Sequence, residues 1–224
     1  VDELRFLRSL GVREVFFHDP TFAVNRKETL EFLGAMKSER LGIGWFCQSR
    51  VDLMDEELLK EMKEAGCHAV MFGVETASED LLKEHERSIS HQWTREVYRL
   101  CRKLGIRTLS YLVIGLPGDS EKTIAETTQF VKDIGSDFVS FNLAIPVVGT
   151  EFRQKLVQEG LSSESQLEFD NSSDEPALAT RFLSRSKLAT AHRTAIRNFY
   201  LRPGYWLQRL LAIRTAYELK NQLR

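Results

Sequence analysis

Residues 61–75, EMKEAGCHAVMFGVE, run from the end of a helix through a glycine into an apolar strand. A glycine just past a helix adopts the left-handed conformation that ends it, and the run that follows is typical of a strand. The same junction recurs at Gly11, Gly42, Gly105 and Gly135, at intervals of 24 to 39 residues. Each interval holds one strand, one helix and two short loops, so the repeat predicts a parallel α/β fold.

The elements on either side of this stretch follow the same rhythm. Strands are predicted at about 12–18, 43–48, 68–75, 107–115 and 137–145, with helices between them. The chain opens inside a helix, and since a parallel unit starts with a strand, we expect one strand to be missing before Val1. We divide the chain into a barrel segment at 1–150, an acidic, serine-rich linker at 151–180 and a basic helical extension at 181–224.

Composition restricts the class of protein. Hydrophobic residues make up 42% of the chain and charged residues 28%, which is ordinary for a soluble globular protein. No apolar run approaches the roughly 18–20 residues that span a bilayer. The three cysteines lack CxxC spacing and suit a reducing cytoplasm, where we expect the protein to reside. We expect Cys47 and Cys67 to lie a strand length apart, on the order of 17–20 Å, with Cys101 in a helix, so no metal site is predicted.

The net charge of −1 conceals two oppositely charged segments. Residues 181–224 carry ten Lys and Arg against one Glu, so they sum to +9, and residues 1–180 therefore sum to −10. Neutralisation across an intramolecular contact is the simplest interpretation. Contact with another domain, a nucleic acid or an anionic lipid surface stays open, although no nucleic-acid motif is present. Peripheral membrane contact would fall to the basic tail.

The carboxyl ends of the strands are polar or rich in glycine. They read FFHDPTF (16–22), WFCQSR (45–50), MFGVETAS (71–78), YLVIGLPGDS (111–120) and FNLAIPVVGT (141–150). Such ends gather on one rim in parallel α/β folds, where ligands bind.

Glu75 is the most informative residue on this rim. It ends an apolar strand, where its charge costs free energy unless something binds it. A helix cap or a salt bridge is the alternative interpretation. For Arg50, an ion pair with a nearby acid is the alternative to a role in ligand binding. Asp119 or Ser120 is expected to cap the helix that follows them.

Four segments in this order and spacing resemble the radical S-adenosylmethionine enzymes. They are HDPTF, CQSRVDLMDEELLKEMKEAGC, FGVETASEDLL and YLVIGLPGDSEKT, and the tail FYLRPGYWLQRLLAI is similar to the subgroup that often carries an amino-terminal cobalamin-binding domain. The resemblance implies a partial (β/α)6 TIM-like barrel, of which strands 2–6 are present here. It also implies a 4Fe–4S cluster on a CxxxCxxC loop, absent from this chain, and cleavage of S-adenosylmethionine to a 5′-deoxyadenosyl radical.

The resemblance also implies roles for residues on the rim. Asp19 and Phe22 would lie near the methionine end of S-adenosylmethionine, and Gln48 and Arg50 would line the next strand end. Glu75 would bind the ribose hydroxyls or the amino group. The adenine would be flanked by Ile114, Gly115, Pro117, Ile145 and Pro146.

Three functions stay open on these grounds. The first is a fragment of a radical S-adenosylmethionine enzyme, with cobalamin as a further candidate cofactor and cobalamin-dependent methyl transfer as a candidate reaction. The chain alone, without its cluster loop, is expected to be inactive. The second is a catalytically inactive module for binding or assembly. The third is an unrelated (β/α)-barrel lyase or isomerase with Glu75 as base. The substrate is not encoded in any visible motif.

Overall fold

The chain divides into two units in a computed structural model that describes residues 1–85, 89–162 and 176–212. The first unit comprises residues 1–113 and 129–142, and the second comprises residues 114–128 and 143–224. These limits differ from the predicted division at residues 150 and 180. The reason is that two connections leaving the sheet, at 114–128 and after 142, belong with the carboxyl-terminal helices.

A five-stranded sheet dominates the first unit, with its strands in sequence order β1 to β5. The strands are β1 Glu14–Phe17, β2 Gly44–Ser49, β3 Cys67–Glu75, β4 Arg107–Ile114 and β5 Phe138–Leu143. The pairs β1–β2, β2–β3 and β3–β4 are parallel. Each strand lies within a few residues of its predicted range, because the glycine junctions mark where the preceding helix must end.

Helices fill every interval between strands. In the first half of the chain they are α1 Asp2–Ser9, α2 Arg26–Glu39, α3 Glu56–Glu64, α4 Glu79–Glu84 and α5 His91–Leu104, with a 3-10 turn at Val51–Leu53. In the second half they are α6 Glu121–Asp133, α7 Glu151–Gln158, α8 Arg185–Tyr200 and α9 Pro203–Ala212. The predicted class, an α/β fold with a helical carboxyl-terminal part, is confirmed.

Side-chain caps fix where these helices begin. Asn25, Asp55, Ser78 and Ser90 each accept a hydrogen bond from the backbone N–H three residues later. Such a cap satisfies one of the N–H groups that the first turn leaves without a partner. The caps at Asn25, Asp55 and Ser78 also set where the loops leaving β1, β2 and β3 end, and these loops contain the predicted site residues Asp19, Phe22 and Arg50.

The two faces of the sheet differ in burial. Trp45, Phe72 and Val70 are fully buried on the face covered by helices. Residues at alternate positions, such as Phe46, Met71 and Tyr111, are half-exposed on the opposite face. Alternation with period two is what separates these faces. The half-exposed face is the surface of the first unit on which a ligand can lie.

The expected separation of Cys47 and Cys67 is wrong. Cys67 pairs in register with Trp45, so the two cysteines are only two residues apart along the sheet. Both point to the helix-covered face, and they are close enough for Cys67 to affect the pKa of Cys47. The expectation failed because Cys47 lies in the middle of β2 rather than at its top.

The second unit differs from its predicted outline. The predicted linker at 151–180 contains α7, and residues 163–175 of that linker lie outside the described residues. In the predicted helical extension at 181–224, the first helix begins at Arg185, where Ser184 caps it. Residues 213–224 of the basic tail also lie outside the described residues. Among the helices described, none combines the length and the apolarity needed to cross a membrane.

Candidate functional site

Glu75 ends β3 in a strained backbone conformation. Its φ is +64°, and the N–H of Thr76 donates to the carbonyl of Val74 at 2.9 Å, which makes Glu75 the centre of a three-residue turn. Turns of this kind with positive φ are rare and strained in L-residues. Strain is retained where the surrounding structure holds it, and it concentrates at binding and catalytic sites. The half-buried Glu75 is therefore a candidate ligand-binding residue.

Gly73 leaves room for the Glu75 carboxylate. A Cβ built on Gly73 would lie 3.0 Å from Glu75 Oε1, which is closer than an ordinary contact. The pairing with β4 also shifts here, because Gly73 lies opposite Tyr111 while Glu75 lies opposite Leu112. This bulge changes the direction in which the side chains at the end of β3 point. Together the glycine and the bulge place the carboxylate over the half-exposed face of the sheet.

Glu75 does not cap the next helix. The cap of α4 is Ser78, whose hydroxyl accepts from the N–H of Leu81 at 3.4 Å. The Thr76 hydroxyl accepts from the N–H of Ser78 at 3.2 Å and orders the intervening turn. The side-chain cap of α4 is thus Ser78 rather than Glu75.

The β1–α2 loop is held against the end of β2. The N–H of Phe22 donates to the carbonyl of Gln48 at 2.8 Å, and the buried Ser49 hydroxyl donates to the carbonyl of Phe22. The structure thus brings the loop that contains Asp19 next to Gln48. The Phe22 ring, however, lies in the core, with ring centroids 5.2 Å from Trp45 and 5.8 Å from Phe17.

Asp19 and Arg50 are exposed, and Gln48 is half-exposed. Asp19 lines a cavity of about 470 Å³ beside α2 together with Phe22. Arg50 makes a two-pronged ion pair with Asp52, at 2.9 and 2.6 Å. This is the alternative that the sequence left open for Arg50. Gln48 points to the same face of the sheet as Met71, its partner in register on β3.

Five predicted residues lie in the second unit: Ile114, Gly115, Pro117, Ile145 and Pro146. The N–H of Ala144 donates to the carbonyl of Ile114 at 2.8 Å, which joins the two segments that contain them. Gly115 has φ +93°, a conformation that favours glycine. The carbonyl of Pro146 accepts from Nη1 of the buried Arg153 at 3.2 Å. The structure thus brings together two short backbone segments, each next to a proline.

Asp119 holds the loop that begins at Gly115. Its carboxylate accepts from the N–H of Gly115 at 2.8 Å, from the N–H of Leu116 at 3.1 Å and from the Thr123 hydroxyl at 2.9 Å. Asp119 is 2% exposed, and burial raises the pKa of this carboxyl although these hydrogen bonds oppose the effect. The expected capping role falls to Ser120, whose hydroxyl accepts from the N–H of Thr123.

The three cysteines do not fit an iron–sulfur site. All are buried, and the interaction with Cys67 together with burial raises the pKa of Cys47. Burial likewise raises the pKa of Cys101. Metal ligation requires the thiolate form, which this environment disfavours. Within residues 1–85, 89–162 and 176–212, no group of three or more His, Cys, Asp or Glu side chains is arranged to hold a metal ion.

Two residues that shape the candidate site are not predicted from the sequence: Gly73 and Asp119. Gly73 was read as part of an apolar strand, although a glycine two residues before a strand-end acid is a signal of close approach. Asp119 was assigned to the helix after it, because Asp is a common cap and its reach back to Gly115 requires the folded loop. Both residues act by shaping backbone around the predicted ligand-binding positions.

Comparisons with known proteins show which family this chain resembles. The profile of the radical SAM superfamily matches residues 1–131. The chain is 30% identical over 204 residues to an uncharacterized methyltransferase from Pyrococcus horikoshii, which covers 91% of this chain and 44% of that protein. It is 28% identical over 170 residues to the cytidylyl-2-hydroxyethylphosphonate methyltransferase of Streptomyces wedmorensis, covering 71% of this chain and 32% of that protein.

A solved structure shares the fold. The radical S-adenosylmethionine methyltransferase TsrM from Kitasatospora setae, with cobalamin and a 4Fe–4S cluster bound, has a TM-score of 0.64 and 19% identity. The match covers 88% of this chain and 40% of that chain. The chain spans less than half the length of each of these relatives. The superfamily profile matches more than half of the sequence, and the chain therefore belongs to the radical S-adenosylmethionine superfamily.

Proposed function

We propose that this chain is the S-adenosylmethionine-binding part of a radical enzyme that transfers a methyl group. The observation that carries the proposal is the strained turn at Glu75, whose carboxylate lies over Gly73 at the end of β3. A charged group held in a costly conformation on a half-exposed face fits a residue that binds a polar ligand.

The ligand contacts follow from the chemistry of the available groups. A carboxylate accepts hydrogen bonds from ribose hydroxyls or from an ammonium group, and Glu75 supplies one. Of the residues proposed to flank adenine, Gly115, Pro117 and Pro146 are buried, whereas Ile145 is half-exposed and offers apolar surface of the kind that packs on adenine. Asp19 and Gln48 add an acceptor and an amide at the ends of β1 and β2, for the methionine end of the ligand.

The iron–sulfur chemistry belongs to the whole protein. A 4Fe–4S cluster, when bound, supplies the electron that cleaves S-adenosylmethionine. The buried thiols of this chain do not suit it, so we propose that its ligands come from outside these 224 residues. The contribution of the chain is to hold and orient S-adenosylmethionine.

Methyl transfer is supported by the relatives. The proteins from Pyrococcus horikoshii and Streptomyces wedmorensis are both named methyltransferases, and TsrM is a methyltransferase whose structure contains cobalamin. We extend the proposal to cobalamin as a second cofactor of the whole protein.

The Glu75→Gln substitution tests the proposal in the full-length protein. It keeps the shape of the side chain and removes its charge. A hydrogen bond to a charged group is worth roughly 1.5–3 kcal/mol, so the affinity for S-adenosylmethionine should fall about 10- to 150-fold in calorimetric titration. Iron content should be unchanged, because Glu75 is not expected to ligate iron.

Glu31→Gln is the matched control, since Glu31 is exposed on α2 and makes only a 4.0 Å ion pair with Lys27. It should leave the affinity unchanged. Equal affinities for the wild type and Glu75→Gln would show that Glu75 does not bind the ligand. A wild-type full-length protein with no measurable affinity would refute the proposed function as a whole.

A further inference from the structure

The loop at 115–119 receives support from a distant part of the sequence. Within the second unit, residues 180 and 181 lie at the end of the predicted linker and the start of the predicted extension, before α8. The hydroxyl of Thr180 donates to the backbone carbonyl of Asp119 at 2.7 Å. The N–H of Arg181 donates to the carbonyl of Pro117 at 2.8 Å. Two consecutive residues thus bind two alternate carbonyls of the loop.

The Thr180 hydroxyl uses its full hydrogen-bonding capacity. Besides donating to Asp119, it accepts from the N–H of Leu183 at 2.9 Å and from the N–H of Phe182 at 3.1 Å. A hydroxyl offers one donor and two acceptor lone pairs, and all three are engaged here. The Thr180 N–H donates to the carbonyl of Leu183 at 2.9 Å and closes the turn. Thr180 is 5% exposed, so water does not substitute for these bonds.

The two sets of bonds are complementary. The Asp119 carboxylate holds the N–H groups of Gly115 and Leu116 from inside the loop. Thr180 and Arg181 hold the carbonyls of Asp119 and Pro117 from outside it. Every residue from 115 to 119 except Gly118 therefore has a backbone group fixed by one of the two sets.

Leu188 on α8 adds a steric constraint. A Cβ built on Gly115 would lie 3.1 Å from Leu188 Cδ2, a tight contact that would require the leucine side chain to shift. Leu188 is 1% exposed. The segment from Thr180 to Leu188 thus fixes both the hydrogen bonds of the loop and the position of its glycine.

We propose that Thr180 is a positioning residue for S-adenosylmethionine, acting through the Gly115 loop; this inference rests on the proposed role of that loop in binding adenine. A loop already held in its binding conformation does not have to be ordered when the ligand arrives, and affinity rises accordingly. Thr180 touches no ligand in this account. The segment from Thr180 to Leu188 then contributes to ligand binding indirectly, because it holds the loop at 115–119 in place.

Thr180→Val tests the inference in the full-length protein, because valine keeps the branched shape and removes the hydroxyl. Loss of one buried hydrogen-bonding group should weaken S-adenosylmethionine binding about 5-fold. Thr180→Ser retains the hydroxyl and should restore the wild-type affinity. Thr190→Val, on the exposed side of α8, is the control and should have no effect. Equal affinities for Thr180→Val and the wild type would overturn the inference.

Hydrogen exchange of the protein without ligand provides a readout that does not depend on binding. In the wild type, the amides of Gly115, Leu116 and Arg181 should exchange with a common protection, because they belong to one hydrogen-bonded unit. In Thr180→Val, exchange at all three should accelerate about 5-fold while exchange in β2 stays constant. Independent exchange of Arg181 and Gly115 in the wild type would overturn the inference even if Thr180→Val failed to fold.

The two tests separate the inference from the proposed function. If the wild type binds S-adenosylmethionine and Thr180→Val changes neither exchange nor affinity, only the role of Thr180 is refuted. If exchange accelerates as expected but Gly115-loop variants bind S-adenosylmethionine normally, the loop is positioned by Thr180 for another purpose, and the inference about this ligand is refuted.

Discussion

Substitution of Gly73 by alanine separates ligand binding from stability. The added Cβ would lie 3.0 Å from Glu75 Oε1, whereas ordinary contact begins near 3.4 Å. The carboxylate must therefore move by about half an ångström. Loss of about half of a charge-assisted hydrogen bond, roughly 0.75–1.5 kcal/mol, should weaken S-adenosylmethionine binding about 4- to 12-fold. Stability should not fall, since alanine in a strand is favoured over glycine by roughly 0.5–1 kcal/mol.

Calorimetric titration of the full-length protein, beside thermal unfolding without ligand, measures both quantities. Gly34→Ala on α2 is the control, because a Cβ at Gly34 meets no atom within 4 Å. It should raise stability and leave affinity unchanged. In a Glu75→Ala background, Gly73→Ala should have no further effect on affinity, because the group it displaces is gone. An equal loss of affinity in both backgrounds would refute the reasoning.

Two further predictions concern stability. Gly66→Ala should lower the free energy of unfolding by about 2–4 kcal/mol in chemical denaturation, because its φ is +98° and the new Cβ would lie 2.8 Å from the carbonyl of Ile43. Gly11→Ala is the control, since its φ is +86° but the new Cβ would meet no atom within 4 Å. It should lower the free energy of unfolding by only about 1 kcal/mol. Equal costs would contradict the role of the steric contact. Burial lowers the pKa of His68, helped by Arg107 and Lys63 and opposed by Glu14 at 2.6 Å. The unfolded chain therefore binds the proton first, and stability should fall as pH drops below the ordinary value of 6.5, a slope that His68→Gln should reduce.

The alternation of helices and strands was predictable from the sequence because it depends on the conformational preferences of neighbouring residues. Gly66 and Gly105 end their helices through a left-handed conformation that glycine adopts without strain, and apolar runs follow them. The position of Glu75 at a strand end followed in the same way. Effects of this kind act between residues that are close together in the chain, so they can be recognised from the sequence.

The positions of side chains relative to distant residues needed the folded chain. The contact of Cys47 with Cys67 depends on the register between β2 and β3, which a shift of two residues would abolish. The strained turn at Glu75 depends on a bulge against β4. Neither register nor bulge is encoded by periodicity alone, because both are set by pairing between strands.

The order of elements, the parallel sheet and the polar strand ends can be read from the sequence, since they follow from propensity and pattern. The reach of Asp119 back to Gly115, and the bond that Thr180, 61 residues further on, donates to the carbonyl of Asp119, become apparent only in the folded chain. Hydrogen bonds between residues so far apart form only after packing has brought them together. Their donors and acceptors are therefore indistinguishable in the sequence from ordinary caps and loop residues.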